Sequence, residues 1–342
     1  MEHYAGIDVS LECSSVCVVD ASGKIVREAK VASEPAALIA WFRSVGLNMV
    51  RIGLEAGPFS QWLYPAMKEA GLAVELLETR HVRNAFKTMA VKTDRKDARG
   101  IAELMRVGWF RPVHCKSMAA QETRVMLTAR TLVQSKLYDV EMSLRGLLRN
   151  FGLKVGRTTS PRFAGRIKEL VAGHPSLEII ASSLLSVHEV LLREFKGFEK
   201  RVRIMARENA RARLLMSTTG VGPIVSLTYA SAIDDPARFK SSKMVGPYFG
   251  MTPKKYQSGE TDITGRISKI GDQSVRTALY QAAHIILTKP VKGSAIKRWA
   301  MRLAKRIGMN KAKVALARKL AVIMHRMLVD GTPFNPAAGA AV

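Results

Sequence analysis

The order of strand and helix signals in the first third of the chain restricts its fold more than any other feature. Residues 4–9 (Tyr-Ala-Gly-Ile-Asp-Val) read as a short apolar strand, 15–20 (Ser-Val-Cys-Val-Val-Asp) as a second, and 24–31 as a third with alternation. Ala21-Ser22-Gly23 is a hairpin signal between the last two. Ser33-Glu34-Pro35 opens a helix through about Val45, with its proline in the first turn, where a missing N–H does no harm. Residues 50–55 give a fourth strand, about 59–70 a helix, and 73–78 a fifth strand. Three meandering strands followed by alternating helices and strands predict an α/β layered domain over residues 1–112.

Beyond it the chain turns helical. About 119–150 carries apolar positions such as Leu127, Leu132, Leu137, Met142, Leu144 and Leu148, and a Gly/Pro/Thr-rich break runs from Gly152 to Gly165. A second long helical region spans about 176–216, and its end, Arg201 to Arg213, is dense in charge, as expected of a helix projecting into solvent. Two such helices most simply pair as an antiparallel coiled coil, so 113–216 reads as a spacer or dimerisation arm. Residues 217–331 form a separate Gly-punctuated basic domain with final helices at about 273–289, 294–307 and 310–329. The Ala/Gly/Pro-rich segment 332–342 reads as a flexible tail.

Lys and Arg number 54 against 28 Asp and Glu, a formal net charge of +26. Such an excess repels itself in a compact chain and predicts a polyanionic partner, nucleic acid first. It is unevenly spread: between Lys254 and Lys319, basic residues outnumber acidic ones 16 to 3. With 47% hydrophobic residues the chain can bury a core, which excludes disorder along its whole length. No apolar run approaches the ~18 residues a spanning helix needs, and the first residues lack a basic segment followed by an apolar stretch. Both observations predict a cytoplasmic protein without a membrane partner. Cys13, Cys17 and Cys115 form no even set and fit a reducing compartment. No second Cys or His pair completes a metal site with the first two, which read as small buried hydrophobes.

Four acidic residues stand out against the basic background. Asp8, in Gly6-Ile7-Asp8, is a carboxylate amid small and apolar strand residues, costly to bury unless paired or bound to a cation. Glu55 ends the fourth strand, and strand ends of layered α/β sheets face the crevice where ligands bind. Asp94 and Asp97 head a helix running to about Arg106, spaced to share one face near its positive end. Singly, each has a structural explanation: a helix start, an ion pair with Arg95 or Arg99, a turn. Together they can converge on Mg²⁺, a hard cation that takes carboxylate oxygens and bridges phosphates. Two such ions can clamp the attacking and leaving oxygens of a phosphodiester.

In the basic region, Thr219-Gly220-Val221-Gly222-Pro223 is a tight turn opening a helix whose N–H groups can hold a phosphate, similar to a helix-hairpin-helix. Glycine turns also simply join two helices. Next come Gly246-Pro247-Tyr248-Phe249-Gly250, Tyr256-Gln257-Ser258-Gly259, Gly265-Arg266-Ile267-Ser268-Lys269-Ile270-Gly271-Asp272, and Arg276. Gly220, Gly222, Lys254, Lys255, Arg266, Lys269 and Arg276 are the candidate nucleic-acid contacts. A serine hydroxyl needs activation to act as a nucleophile, and neighbouring cations can offset charge on a pentacovalent phosphate. From the residues alone, Ser258 and Ser268 are rival candidates, and Ser258-Gly259 also suits a plain hairpin turn.

These motifs resemble the DEDD transposases of bacterial insertion sequences typified by insertion sequence 110. The resemblance rests on Gly-Ile-Asp at 6–8, Glu-Ala at 55–56, Thr-Asp-Arg-Lys-Asp-Ala at 93–98, and the Gln-Ser-Gly and Gly-Arg-Ile-Ser-Lys-x-Gly succession, and covers nearly the whole chain. Asp272 stands where asparagine would be expected. It implies an N-terminal RuvC-like domain of the ribonuclease H-like class, whose strand and helix order is the one described above. A long-helix coiled-coil arm and a mainly helical basic C-terminal transposase domain would follow. It also implies Asp8, Glu55, Asp94 and Asp97 as catalytic metal ligands for Mg²⁺, and Ser258 as the nucleophile of a covalent phosphoserine intermediate. A bridge RNA would guide recombination by homodimers assembling into a homotetramer on DNA, at the bacterial nucleoid. Two other readings stay open: a RuvC-like metal-dependent nuclease or junction resolvase using water, and a non-enzymatic architectural DNA-binding protein.

Overall fold

Alternation along the strands builds the first part of the chain. In the computed structural model, which describes residues 1–88, 93–290 and 295–336, contacts divide the protein into two units, Met1–Lys116 and Ser117–Val342. The first holds β1 (His3–Asp8), β2 (Cys13–Asp20), β3 (Ile25–Ala32), α1 (Pro35–Val45), β4 (Met49–Glu55), α2 (Ser60–Glu69), β5 (Val74–Leu77), α3 (Thr79–Ala85) and α4 (Asp94–Val107). The strands form one sheet in the order β3-β2-β1-β4-β5. β2 is antiparallel to both β1 and β3, while β4 runs parallel to β1 and β5. This is a mixed α/β layer consistent with a ribonuclease H-like domain, and the sequence places its strand ends to within one or two residues.

The two faces of that sheet are covered differently. Ala5, Ile7, Val16, Val18, Ile52 and Leu54 point to one side, against Leu38 and Phe42 of α1 and Leu63 and Met67 of α2. Tyr4, Cys17 and Val19 point to the other, against Ala98, Ile101, Ala102 and Met105 of α4. Two glycines admit α4. A Cβ on Gly6 would lie 2.1 Å from the Ala98 carbonyl oxygen, and one on Gly53 would lie 2.6 Å from Ile101 Cγ2. No side chain fits at either place, so the helix axis is seated directly on β1 and β4.

The second unit begins with α5 (Met118–Arg149), α6 (Ser160–Val171), α7 (Pro175–Glu208) and α8 (Ala210–Met216). Arg130 of α5 pairs with Glu199 of α7, and Glu141 meets His188 at 3.0 Å, so the two long helices run antiparallel. α6 begins inside the stretch that reads as a break and runs past its end at Gly165, packing Phe163, Ile167 and Val171 against Leu144, Leu148 and Leu185. The region from Arg201 to Arg213 does not project as expected. Val202, Ala206 and Ala212 are buried with Leu227, and the helix is interrupted at Asn209, whose Oδ1 accepts the Ala212 N–H at 2.9 Å to start α8. The apolar content of α7 also exceeds the expectation. An 18-residue window reaches a mean hydropathy of 1.3, so by length and composition one described helix could cross a membrane. Its apolar residues divide between a buried stripe (Leu177, Ala181, Leu185) and an exposed one (Ile179, Ile180, Val187, Val190).

The chain continues through α9 (Pro223–Ile233), α10 (Val245–Tyr248), the hairpin β6 (Pro253–Ser258) and β7 (Thr261–Ile267), α11 (Gln273–Thr288), α12 (Ala295–Ile307) and α13 (Met309–Asp330). Tyr229, Phe249, Leu279, Ile286, Leu316, Leu320 and Met324 fill its core. The Tyr229 hydroxyl donates to the Ala321 carbonyl, giving that buried polar tip a partner. Phe334 joins the same core, and its N–H donates to Ser217 Oγ at 2.9 Å, so the stretch after Thr332 begins docked. Residues 337–342 of the expected tail lie outside the described residues.

Candidate functional site

Strand parity determines which way the first-unit carboxylates face. Gly6 faces α4, so Asp8, two residues on, shares that face; Gly53 faces α4, so Glu55 does too. Ile7 pairs with Leu54 in the parallel register, which makes Asp8 and Glu55 the next residues of adjacent strands, at the same C-terminal edge. α4 crosses the sheet from that edge. Ala98 lies over Gly6, while at the other end the Met105 carbonyl accepts Arg51 Nη1 at 2.8 Å, Arg51 being near the start of β4. The first turn of α4 therefore points to the edge that carries Asp8 and Glu55. Within it Asp97 is buried, at 8% exposure, and Asp94 is exposed, so the two do not share one environment as their spacing suggests. Thr93 caps the turn, its Oγ1 accepting the Lys96 N–H at 3.3 Å.

The donors at this edge are all carboxylate oxygens, the set that hard divalent cations prefer. By donor chemistry and by edge, Asp8, Glu55 and Asp97 fit a divalent ion, with Asp94 on the outer side. Among the described residues no three His, Cys, Asp or Glu side chains are drawn together tightly enough to hold a metal as they stand.

One interaction beside this edge is not signalled by any sequence motif. Arg95 donates through Nε at 2.7 Å, and through Nη2, to Glu28 Oε2, on a strand 67 residues earlier. That guanidinium holds the Glu28 carboxyl below its ordinary range. Cys17, opposite Glu28 in the sheet, is a buried thiol that desolvation pushes up to about 12. Arg95 is thus committed to Glu28 rather than to Asp97.

In the second unit Ser258 is the last residue of β6, opposite Thr261, beside a two-residue turn whose Gly259 has φ +55°. The β6–β7 hairpin is exposed along nearly its whole length. Lys255 Nζ pairs with Asp262 Oδ2 at 3.0 Å, which Gln257 Nε2 also reaches at 3.1 Å. Lys254, Arg266 and Lys269 are exposed.

The base of the hairpin is an interlocked pair of loops. Gly250 has φ +65°, and a Cβ there would sit 1.9 Å from the Ile270 carbonyl oxygen. Lys269 takes φ +55°, unusual for a residue with a side chain, while its N–H donates to the Gly250 carbonyl at 3.0 Å. Arg276 Nη1 donates to the carbonyls of Phe249 (3.1 Å), Ile270 (3.4 Å) and Gly271 (2.9 Å), tying both loops to α11. Ser268 Oγ accepts the Ile270 N–H within the same base. Asp272, in place of asparagine, caps α11 by accepting from Ser274 and Val275 and pairs with Arg124 at 2.7 Å.

Gly220, at φ +82°, lies against α11, where a Cβ would come 2.9 Å from Ile286 Cγ1. Gly222 is the residue before α9, and its carbonyl accepts the Ser226 N–H at 3.0 Å. Since Val225 through Ile233 are all buried, this turn serves helix packing at least as directly as any ligand.

Comparisons with known proteins agree on one family. The family described as "Transposase IS116/IS110/IS902 family" matches residues 212–306, and the DEDD-type family of the IS110 elements, described as "Transposase", matches residues 5–152. The chain is 28% identical over 333 residues to the transposase for insertion sequence element IS1111A of Coxiella burnetii, covering 94% of this chain and 88% of that one. It is 26% identical over 291 residues to a "Probable family 20 transposase" of Pseudomonas aeruginosa, covering 83% and 86%. Over 130 residues, 37% of this chain and 39% of the other, it is 28% identical to the pilin gene-inverting protein of Moraxella bovis.

Proposed function

Since the chain belongs to the DEDD transposases of the insertion sequence 110 family, we propose that it cuts and rejoins DNA through a phosphoserine intermediate, with Ser258 as nucleophile and Asp8, Glu55, Asp94 and Asp97 as ligands of Mg²⁺. The observation that carries this proposal is the common edge of Asp8, Glu55 and the first turn of α4, fixed by the glycine seats at 6 and 53. Surplus carboxylates gathered in a chain of net charge +26 weaken a purely architectural phosphate binder, but suit one that must bring a cation to a phosphodiester. A bound divalent ion supplies Lewis-acid stabilisation of the phosphate oxygens.

Placement favours Ser258 over Ser268. The former ends an exposed strand, while the latter accepts a hydrogen bond inside the loop base. In the cleavage step the Ser258 Oγ–P bond forms as a P–O bond of the DNA breaks; the serine proton passes to a base, and the leaving DNA oxygen takes one up. Rejoining is the reverse, with a DNA hydroxyl attacking phosphoserine and Ser258 regaining its proton, so the phosphodiester energy is conserved. A relative named for inverting a pilin gene supports rejoining over cutting alone.

Lys254, Lys255, Arg266 and Lys269 would line DNA phosphates around the serine. Arg276 and Gly220 act on the shape of that surface, and Gly222 starts the helix behind it. Residues 1–112, 113–216 and 217–331 act as the RuvC-like, arm and transposase domains. Ile179, Ile180, Val187 and Val190, exposed on α7, form the coiled-coil surface through which homodimers and then a homotetramer assemble. Target choice would rest on base pairing with a bridge RNA, the protein holding backbone and shape, at the nucleoid of the cytoplasm.

Covalent trapping tests the proposal. Full-length protein with its co-purified RNA, Mg²⁺ and a labelled element junction should yield a DNA adduct on Ser258, absent in Ser258→Ala. Asp97→Asn should lower cleavage by at least about a hundredfold, within the range for loss of a group that stabilises transition-state charge. Cleavage that survives Ser258→Ala without any adduct would assign the attack to water and make the protein a RuvC-like nuclease.

A further inference from the structure

The first turn of α4 carries two of the four proposed ligands, and its own sequence holds it through the Thr93 cap and through Asp94 and Asp97 at the positive end of the helix. Arg95 and Lys96 are cations in the first turn of a helix, the end where positive charge is disfavoured. The glycine seat takes hold only from Ala98 onward.

What reaches the turn from outside is a row of residues across the sheet. Gly6 pairs with Cys17 and Cys17 with Glu28, one residue from each of β1, β2 and β3, all on the α4 side. Gly6 admits the helix, Cys17 fills the narrow space beneath it as a neutral buried thiol, and Glu28 takes Arg95. The row lies two residues back along the strands from the row of Asp8. The ion pair thus ties the turn bearing Asp94 and Asp97 to the same sheet that bears Asp8 and Glu55.

We propose that Glu28 is a positioning residue: through Arg95 it sets the first turn of α4 so that Asp94 and Asp97 face the carboxylate edge. This rests on the metal-binding role given above to those residues. Arg95 is 77% exposed on its side chain, and exposed pairs contribute little to global stability. The pair's effect is therefore local, on one turn and not on the fold.

The test uses full-length protein free of metal, with Mn²⁺ as the probe. In Glu28→Gln and in Arg95→Gln, amide hydrogen exchange over residues 94–98 should quicken about two- to fivefold, the size expected for an exposed pair, while β1 and β2 amides keep their rates. Mn²⁺ affinity, followed by electron paramagnetic resonance, should weaken by a similar factor. The charge-swapped double variant, Glu28→Arg with Arg95→Glu, should recover both. Unchanged exchange in the single variants, or a swap that restores neither quantity, overturns the proposal. If the exchange pattern follows the prediction but no variant, nor the parent protein, binds Mn²⁺, the clamp stands and the metal-binding reading fails instead.

Discussion

Gly6 shows how one residue can matter more for the site than the carboxylate beside it. Gly6-Ile7-Asp8 draws attention to Asp8, but what lets Asp8 meet a helix is the missing side chain two positions earlier. Gly6→Ala would force a Cβ to 2.1 Å from a backbone oxygen that no rotamer change can move. It should destabilise the first unit by about 3 kcal/mol, at the upper end of overpacking costs, read as a lower midpoint in urea. Gly197→Ala in α7, where a Cβ meets nothing within 4 Å, should instead stabilise by about 0.5–1 kcal/mol through helix propensity. Equal effects from the two would mean that α4 is not seated on the glycine. At this scale the sequence shows which carboxylates stand at strand ends and helix heads, because those positions follow from periodicity. It does not show Glu28, because the partner of Arg95 is chosen by strand pairing across the sheet and no local spacing announces it. For the same reason the Gly220–Gly222 turn looks like a phosphate loop in sequence, while the close approach of Gly220 to Ile286 is not announced there.

Among the elements, long and periodic segments are the readable ones, and punctuation misleads. α5, α11, α12 and α13 start and stop within about two residues of their sequence-based limits. α6 is lost in a stretch whose Pro161 looks like a breaker, but that proline lies in the first turn of the helix, where its ring is tolerated. The break at Asn209 is missed for the opposite reason, since a lone asparagine among Arg and Ala gives no strong signal until its side chain is seen capping α8. α13 carries a further consequence of packing. His325, 1% exposed, has Nδ1 at 2.9 Å from Ser242 Oγ and Nε2 at 3.2 Å from the Pro236 carbonyl, so Nε2–H donates to that carbonyl. Burial, with Arg238 nearby, lowers its pKa below the ordinary 6.5, although the Pro236 carbonyl pulls the other way. A depressed histidine means that the unfolded chain takes up the proton first. Its contribution is complete above pH 6.5 and is lost as pH falls through the folded value. The melting temperature of the second unit should therefore fall from pH 7 to pH 5, and His325→Gln should flatten that slope even if it lowers the melting point throughout. A slope unaltered by the substitution would assign the pH dependence to other groups.

Over the whole molecule, a net charge of +26 does two separable things. It raises the potential around the protein and steers any polyanion toward it, an effect of total charge. It also neutralises particular phosphates, an effect of where the charges stand, and only this second one releases condensed counterions and sets the salt dependence of binding. α12 contains no acidic residue, and its exposed Arg298, Arg302, Lys305 and Arg306 recur at three- and four-residue spacings, so they form one face. Ile296 and Ala300 bury the other. On the surface of α5, Lys136 is equally cationic but stands 3.2 Å from Asp139 and lies outside the basic region, so it serves as a control for total charge. Under the proposed function, the double change Arg302→Gln with Arg306→Gln should reduce the slope of log affinity against log salt for duplex DNA by about 0.9 for each phosphate that is no longer neutralised. Lys136→Gln should leave that slope unchanged. The comparison is best made by fluorescence anisotropy on an unrelated duplex, where base pairing with RNA plays no part. If Lys136→Gln shifts the slope as much per charge as the α12 pair does, the excess charge acts as a diffuse cloud and α12 is not a phosphate-binding face. If only the α12 pair does so, the basic region has a defined track for DNA, and the exposed hairpin carrying Ser258 belongs to the same basic unit.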